Sequence, residues 1–410
     1  MKKQLAAAVK HNLRWFRRSG IMRPDDGFWG VGERIAIIAG NASWNQINLT
    51  FPIQTPLDEH TVVIEHRRAD CCTETAMLFE LAARHFNRPA DHRVAANIVA
   101  FLKRSGLRVT ETDSPLQHLW RWAMPNCNGC WTDDNSWVIT GFLFLAAHGY
   151  PELEPWALAA AETMYGHMDT YLKHIENGHR DEPATETMSG SRLNPHWMGL
   201  VTMALAWAYS RTGKTEYYEL TRRYYAVVLD GPPAFDLQAR VKDPQYPWSI
   251  SEYAYLTLVA SITAHTYRNA DFRQLAQKAA AIPVERQFET GHFASNHYEA
   301  PEGKQFADLI YTQNWATLGL QHAARLCPER TEYRQALAKS LAFLLQIQDC
   351  SGQPFFDGCW RGMFDTAGGT WGGGDKYEGG QNSIYSGWTN APISLAMLFE
   401  LTGESLFPQH

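Results

Sequence analysis

Residues 133–150 read DDNSWVITGFLFLAAHGY, a polar cluster followed by about 15 almost entirely apolar residues and a turn. A helix of this composition is apolar nearly all round, which is typical of a helix buried on every side. Six segments share the design, and their starts are 63, 61, 57, 61 and 73 residues apart. Such spacing predicts an architecture of repeated units. The segments are 70–88, 133–150, 194–214, 251–269, 312–326 and 385–404.

The segments between them have a different pattern. Apolar residues recur at i, i+3, i+4 and i+7 with arginine, lysine and glutamine on the opposite face, which predicts amphipathic helices covered by solvent on one side. Six buried helices alternating with six amphipathic ones predict an all-α (α/α)6 toroid, or six-hairpin barrel. An open α-solenoid would have shorter repeats of about 34–47 residues. The amphipathic segments are 2–19, 91–105, 155–177, 215–230, 271–282 and 331–348.

The length of 410 residues would by itself suggest roughly two to four domains. A closed ring needs all six hairpins, so residues 1–410 are predicted to form a single toroid domain instead. Long loops are expected over its cavity. Two β-rich stretches within 31–67, VGERIAIIAG and TVVIEHR, are expected to form a small hairpin or cover.

The composition excludes several classes of protein. Apolar residues make up 45% and charged residues 20% of the chain, which is ordinary for a globular protein and excludes disorder. The net charge is −6 and there is no basic block, so nucleic acid is not an expected partner. No apolar run is long enough to span a bilayer, and the N-terminus lacks the apolar stretch of a signal peptide. A cytoplasmic protein is predicted.

Seven cysteines are scattered along the chain, an odd number that does not suggest a disulfide framework. They agree with a reducing compartment. Cys127 and Cys130 form a C-x-x-C motif, but a zinc site would need a second pair or histidines at fixed spacing. Neither a metal nor a cofactor is predicted.

The inner helices of a toroid run parallel, so their N-termini, with unpaired N–H groups and partial positive charge, open on one face. The residues at these starts are carboxylates, amides and aromatic rings, which suit the hydroxyls and C–H faces of a sugar. An oligosaccharide is therefore the predicted partner. The predicted substrate-binding residues are Trp131, Trp137, Asn194, His196, Trp197, Trp315, Tyr385 and Trp388.

Asp133 and Asp134 are the most informative pair. A helix N-terminus needs one capping oxygen, which explains one aspartate but not two. Adjacent carboxylates repel, so one is held as an acid while the other stays charged. Glycoside hydrolysis needs this division between a general acid and a nucleophile or base. Asp133 and Asp134 are predicted to be catalytic, with Asp70 as a third carboxylate across the cavity; a cap with a solvated neighbour and a cation site are the alternatives.

The run from Trp131 to Trp137 resembles the Asp-Asp-Asn-x-Trp motif of the α-1,6-mannanases of glycoside hydrolase family 76. The match covers seven residues and implies a toroid with two adjacent catalytic aspartates. The wider superfamily of six-hairpin glycosidases, which the chain also resembles, includes unsaturated glucuronyl and rhamnogalacturonyl hydrolases. These act on imported oligosaccharides in the cytoplasm. The resemblance implies a cytoplasmic glycosidase of short oligosaccharides.

Other functions on a toroid remain open. A sugar isomerase, similar to the N-acylglucosamine 2-epimerases, would rely on a pair of histidines, here His196 and His265. A polysaccharide lyase would use tyrosine and histidine, and a non-catalytic carbohydrate-binding protein would need the tryptophans alone.

Two further regions are candidates for completing the site. The glycine-rich stretch 354–384, with Asp357, Asp365, Asp375 and Glu378, is expected to be a lid or substrate loop; a solvated turn or a calcium loop are the alternatives. Arg68, just before Asp70, would either hold a substrate carboxylate or be a surface arginine paired with nearby acids.

Overall fold

The computed structural model describes residues 1–125, 129–179, 188–190, 192–230, 249–294, 303–374 and 378–409. Cys127 and Asp375 lie outside these ranges. None of the helices in the described ranges is both long and apolar enough to cross a membrane. The helices are α1 (Lys2–Arg18), α2 (Trp44–Thr50), α3 (Ala69–Phe86), α4 (Pro89–Arg104), α5 (Thr132–Ala147), α6 (Glu154–Glu176), α7 (Leu200–Thr212), α8 (Thr215–Asp230), α9 (Ile250–Tyr267), α10 (Ala270–Arg286), α11 (Gln313–Leu326), α12 (Thr331–Ile347) and α13 (Ala391–Thr402).

The predicted toroid is confirmed. Helices α3, α5, α7, α9, α11 and α13 each pack against the next, and α13 packs against α3, which closes the inner ring. Helices α4, α6, α8, α10 and α12 each return outside the inner helix that precedes them, and α1 packs outside α13. Every residue of α9 from Ile250 to Ala264 is buried, whereas α12 buries only one face. The apolar pattern of each segment therefore matches the surface that the helix buries.

Short turns precede two inner helices: a π-helical turn, Pro195–Gly199, before α7, and a kinked turn, Ser386–Asn390, with non-helical backbone at Gly387 and Trp388, before α13. In the second turn the backbone lies directly against α3. A Cβ added to Gly387 would come within 2.6 Å of the Cα of Cys71 and 2.5 Å of the Glu74 carboxylate. Glycine is thus required where the last inner helix meets the first.

Small sheets cover the end of the ring at which the inner helices begin. The predicted hairpin is confirmed: β1 (Arg34–Ile37) pairs antiparallel with β3 (Thr61–Ile64). With β2 (Gln54–Pro56) and β9 (Ser383–Tyr385) they form the larger sheet, in the order β2-β3-β1-β9. Strand β9 leads into α13, and its pairing places Tyr385 opposite Arg34. The strands are β1 (Arg34–Ile37), β2 (Gln54–Pro56), β3 (Thr61–Ile64), β4 (Arg67–Arg68), β5 (Ala123–Met124), β6 (Phe306–Asp308), β7 (Met363–Asp365), β8 (Thr370–Trp371) and β9 (Ser383–Tyr385).

Candidate active site

A cavity of about 280 Å³ opens at the end of the ring where the inner helices begin. Its walls come from the starts of α5 and α13, from the turn before α7, and from the β1–α2 region. Acidic, basic and aromatic side chains alternate around it. The lining residues are Arg34, Gln46, Ile47, Thr50, Phe51, Arg68, Trp122, Trp131, Asp133, Asp134, His196, Trp197, Ile310, Tyr311, Glu378, Tyr385 and Trp388.

Arg68 holds three carboxylates together at the base of the cavity. Its Nη2 lies 2.7 Å from Asp134 Oδ1 and 2.8 Å from Asp70 Oδ2, and its Nε donates to Asp70 Oδ1 at 3.2 Å. The third carboxylate is that of Glu33, whose Oε1 lies 3.3 Å from Arg68 Nη1. All four side chains are buried. Arg68 is therefore paired with acids, as one alternative predicted, but it is not a surface residue.

The pKa of the Asp134 carboxyl is raised well above its usual value. Burial is the largest cause, and the charges of Asp70 and Asp133 add to it, as does a hydrogen bond that Asp134 shares with Asp70. Arg68 opposes these effects without outweighing them. A buried carboxyl beside other carboxyls ionises less readily, because burial and like charges both disfavour the charged form. The protonated form of Asp134 is therefore favoured.

Trp388 fixes the position of Asp70 from the neighbouring turn, which precedes α13. Its indole Nε1 donates to Asp70 Oδ2 at 2.5 Å, and its backbone N–H donates to Glu74 Oε2 at 2.8 Å. The Asn314 amide donates to the Trp388 carbonyl. Trp388 has a φ of 42°, a left-handed conformation that is strained in a bulky residue. Strain of this kind is tolerated where surrounding contacts hold a side chain in one place.

Asp133 lies beside His196. The distance from Asp133 Oδ2 to His196 Nε2 is 3.4 Å, and Asp133 Oδ1 makes no hydrogen bond with the described residues. The turn that carries His196 is held by α9, because Glu252 accepts hydrogen bonds from the His196 backbone N–H at 2.9 Å and from the Asn194 amide at 3.2 Å. Asp133 Oδ1 is therefore a buried acceptor whose hydrogen-bonding capacity the described residues leave unused.

Aromatic rings continue in one stack from the cavity wall into the core. Trp131 stacks on Trp197 with centroids 5.5 Å apart, Trp197 on His196 at 4.5 Å, and His196 on Tyr255 at 4.6 Å. Tyr255 in turn stacks on Trp315 at 5.3 Å. The imidazole of His196 thus lies between two rings tilted from it by 14° and 7°. Such packing fixes its orientation.

The predicted residues divide into two groups. Seven line the cavity: Trp131, Asp133, Asp134, His196, Trp197, Tyr385 and Trp388. The other four lie behind its wall, where they contact the lining residues or pack in the core: Asp70, Trp137, Asn194 and Trp315. Trp137 was expected on the wall, but it is only 2% exposed and packs on Trp315 with centroids 5.1 Å apart.

Five other charged or aromatic residues contribute to the site although the sequence did not single them out. Glu33, Arg34 and Phe51 come from the β1–α2 region, Trp122 from the loop before α5, and Tyr311 from the residues just before α11. Glu378 also lines the cavity, and it was predicted only as part of the substrate loop 354–384. Glu33, Arg34, Phe51 and Trp122 lie at no inner-helix start, which is where the site residues were expected. A signal did exist in the charged pair Glu33–Arg34, which directly adjoins an apolar run.

The second histidine of the isomerase alternative lies elsewhere. His265 stands near the end of α9 and stacks on Phe407 at 4.1 Å, whereas Glu252 at the start of α9 contacts the cavity region. Thirteen residues of helix separate the two positions, or about 20 Å at 1.5 Å per residue. His196 and His265 therefore do not form a pair. Among the described residues, no three His, Cys, Asp or Glu side chains are grouped in a way that could hold a metal ion.

No protein-family model and no curated protein sequence matches the chain significantly. Solved structures do match it over almost its whole length. An unsaturated glucuronyl hydrolase from Bacillus sp. GL1 is 14% identical, with a TM-score of 0.58 and 100% of both chains covered. A cellobiose 2-epimerase from Bacillus thermoamylovorans is 11% identical, with a TM-score of 0.64 and coverage of 97% of this chain and 99% of the other.

A D-mannose isomerase is 12% identical, with a TM-score of 0.62 and 98% of both chains covered. These proteins share the (α/α)6 toroid with the chain. At such identities the likeness concerns the fold, which in these examples carries both hydrolases and isomerases of sugars.

Proposed function

We propose that the chain is a glycoside hydrolase that cleaves short oligosaccharides, with Asp134 as the general acid and Asp133 as the nucleophile or base. The observation that carries the proposal is the unequal environment of these adjacent carboxyls. Asp134 is buried beside Asp70 and has a raised pKa, while Asp133 lines the cavity beside His196. Glycosidic cleavage requires one carboxyl that donates a proton and a second that acts as nucleophile or base.

The roles follow from which carboxyls line the cavity. Asp134 lines the cavity and Asp70 lies behind it, so the proton would be donated to a substrate from Asp134. Protonating the glycosidic oxygen makes the leaving group neutral. Asp133 then either attacks the anomeric carbon or removes a proton from the attacking water, while Arg68 stabilises the negative charge left on Asp134. Asp70 is a positioning residue in this scheme.

An isomerase is the second candidate, because His196 lies in the cavity and related folds include sugar epimerases. Its weakness is the position of His265, about 20 Å along α9 from the site. A non-catalytic binding protein is disfavoured for another reason. Burying several carboxylates around one guanidinium costs stability that a binding site lined with tryptophans would not need.

We also propose that residues 1–410 form a single domain and that the protein works in the cytoplasm. Both inner and outer helices from the whole chain contribute to one closed ring. The cysteines of the described ranges are free thiols, which suits a reducing compartment.

The test compares the wild type with Asp134→Asn on a panel of chromogenic glycosides and of neutral and uronate-containing oligosaccharides. Asparagine keeps the size but cannot donate the proton, so kcat should fall by at least about 100-fold with little change in Tm. Asp91→Asn is the matched control, because Asp91 is equally buried and paired with Arg17, but on the outer helix α4.

The same panel separates the alternatives. Loss of activity in His196→Ala together with tolerance of Asp134→Asn, measured as epimer formation, would establish the isomerase instead. A product with new ultraviolet absorbance from a carbon–carbon double bond would indicate a lyase. Sugar binding by a wild type that converts no member of the panel would indicate the non-catalytic protein.

A further inference from the structure

Two arginines are among the described residues that line the cavity, Arg34 and Arg68. Arginine beside a sugar site often binds a substrate carboxylate through two parallel N–H groups. Whether these arginines can do so depends on how many of their N–H groups the protein itself already uses. If the chain is the proposed hydrolase, the free N–H groups of these arginines determine which sugar its cavity takes.

Arg34 is bound by acids on both sides. Its Nε lies 3.0 Å from Glu33 Oε2 and its Nη2 lies 3.2 Å from Glu33 Oε1, so Glu33 occupies one bidentate edge. Its Nη1 lies 2.8 Å from Glu378 Oε2 and also donates to the Glu378 carbonyl at 3.0 Å. These contacts use four of the five N–H groups of the guanidinium. Burial acts to raise the pKa of Glu378, but the charges of Arg34 and Arg68 and the hydrogen bonds from Tyr385 and Arg34 together outweigh burial, so the pKa is lowered.

Arg68 is used in the same way. Asp70 accepts from Nε and Nη2, Asp134 accepts from Nη2, and Glu33 accepts from Nη1 at 3.3 Å. Four of its five N–H groups are again occupied. Neither arginine therefore presents a free pair of parallel N–H groups to a ligand.

Glu33 joins the two arginines. It is fully buried, and its Oε1 accepts from both Arg34 and Arg68. The two guanidinium charges are set against four carboxyls, those of Glu33, Asp70, Asp134 and Glu378. Even with a proton on Asp134, three carboxylates face two guanidinium groups. A carboxylate entering the cavity would meet a net negative cluster in a region of low dielectric.

We infer that the cavity takes an uncharged sugar residue and excludes uronic acids, and that Glu33 determines this specificity by neutralising both arginines. The aromatic wall suits such a ligand. Trp122 and Trp131 are both partly exposed to the cavity, with ring centroids 5.5 Å apart, and they offer faces to the C–H groups of a neutral ring.

The experiment uses matched pairs of chromogenic substrates that differ only at C6, a hydroxymethyl group in one and a carboxylate in the other. The pairs are glucoside and glucuronide, galactoside and galacturonide, and mannoside and mannuronide. For the pair that the wild type cleaves best, kcat/KM for the uncharged member should exceed that for the uronide by at least about tenfold. In Glu33→Gln this ratio should shrink several-fold, because one negative charge is removed and both arginines gain unpaired charge.

A second variant guards against misfolding of Glu33→Gln. Glu378→Gln removes the other acid paired with Arg34, and the Glu378 side chain is 23% exposed, so its loss disturbs packing less. It should shrink the same ratio. The control is Glu80→Gln, which should leave the ratio unchanged. Glu80 is a buried carboxylate of α3, ten residues after Asp70, and it pairs with Arg84.

The outcomes are distinct. Faster cleavage of a uronide than of its uncharged partner overturns the inference and leaves the hydrolase standing. An unchanged ratio in both folded variants removes the role of Glu33. Failure to cleave any glycoside or oligosaccharide removes the proposed hydrolase, and the inference with it.

Discussion

The indole nitrogen of Trp388 donates a hydrogen bond to Asp70 Oδ2 at 2.5 Å, joining residues 318 positions apart in the chain. Trp388 lies in the turn before the last inner helix and Asp70 in the first turn of the first, so this bond lies where the ring closes. It also orients the carboxyl whose charge raises the pKa of Asp134. Closure of the fold and the environment of the proposed acid therefore depend on the same contact.

Replacing Asp70 by asparagine should move the pH dependence of activity. A general acid must be protonated, so kcat/KM falls as pH rises through its pKa. The Asp70 charge raises the pKa of Asp134, and its removal also leaves Arg68 to stabilise the Asp134 carboxylate. The alkaline limb of the pH profile should therefore shift to lower pH. The limb reports the coupled pair rather than one residue.

The measurement is a pH–rate profile of wild type and Asp70→Asn on one substrate. Asp91→Asn should keep the wild-type limb. A limb that stays in place in Asp70→Asn would show that Asp70 does not control the proton on Asp134.

Two tryptophans should respond in opposite ways to truncation. Trp137 is buried against Trp315, so Trp137→Ala should lower the free energy of unfolding by about 3–5 kcal/mol and leave KM unchanged in the folded fraction. Trp122 lines the cavity and is partly exposed, so Trp122→Ala should raise KM with a small change in Tm. Thermal unfolding and KM measured on both variants distinguish a packing role from a substrate-binding role. A raised KM in Trp137→Ala would show that this ring contacts the substrate.

Acid should destabilise the fold through His322. Burial lowers the pKa of His322 to about 3, and the neutral ring bridges the Leu318 carbonyl at 2.8 Å and the Leu406 N–H at 2.9 Å. The group has its ordinary pKa near 6.5 when unfolded, so its stabilising effect is complete above that pH and is lost as pH falls toward 3. This site alone should lower the free energy of unfolding by about 2 kcal/mol between pH 7 and pH 5.

Denaturant unfolding at both pH values tests this expectation against His322→Gln, in which the pH-dependent loss should be smaller by that amount. An equal loss in both proteins would assign the acid sensitivity to other groups.

The helices of the toroid could be predicted because their signal is local. The segment 133–150 is apolar all round, and the segment 331–348 is apolar on one face. These patterns indicate whether a helix is buried on all sides or on one face only. The structure places α5 at Thr132–Ala147 inside the ring and α12 at Thr331–Ile347 outside it. The end of the ring that carries the site followed from the same reasoning, since parallel inner helices begin together.

The environment of the site could not be read in this way. Asp133 and Asp134 are adjacent in sequence and have the same side chain. Burial within the closed ring and the charge of Asp70, more than 60 residues earlier, raise the pKa of Asp134, and Arg68 opposes this rise. Trp137 has the spacing of a wall residue, but the packing of Trp315 places it in the core.

The sequence by itself determined the order and burial of the helices that form the inner and outer rings, because hydrophobic periodicity is set by residues within a few turns of one another. Only the tertiary structure decided that Glu33 would neutralise Arg34 and Arg68 together. That arrangement depends on strand β1 pairing with β9 from the far end of the chain, and on Arg68 reaching Glu33 from the residue before α3. Charge pairing acts over a few ångströms in space, and closure of the ring chooses which distant residues come that close.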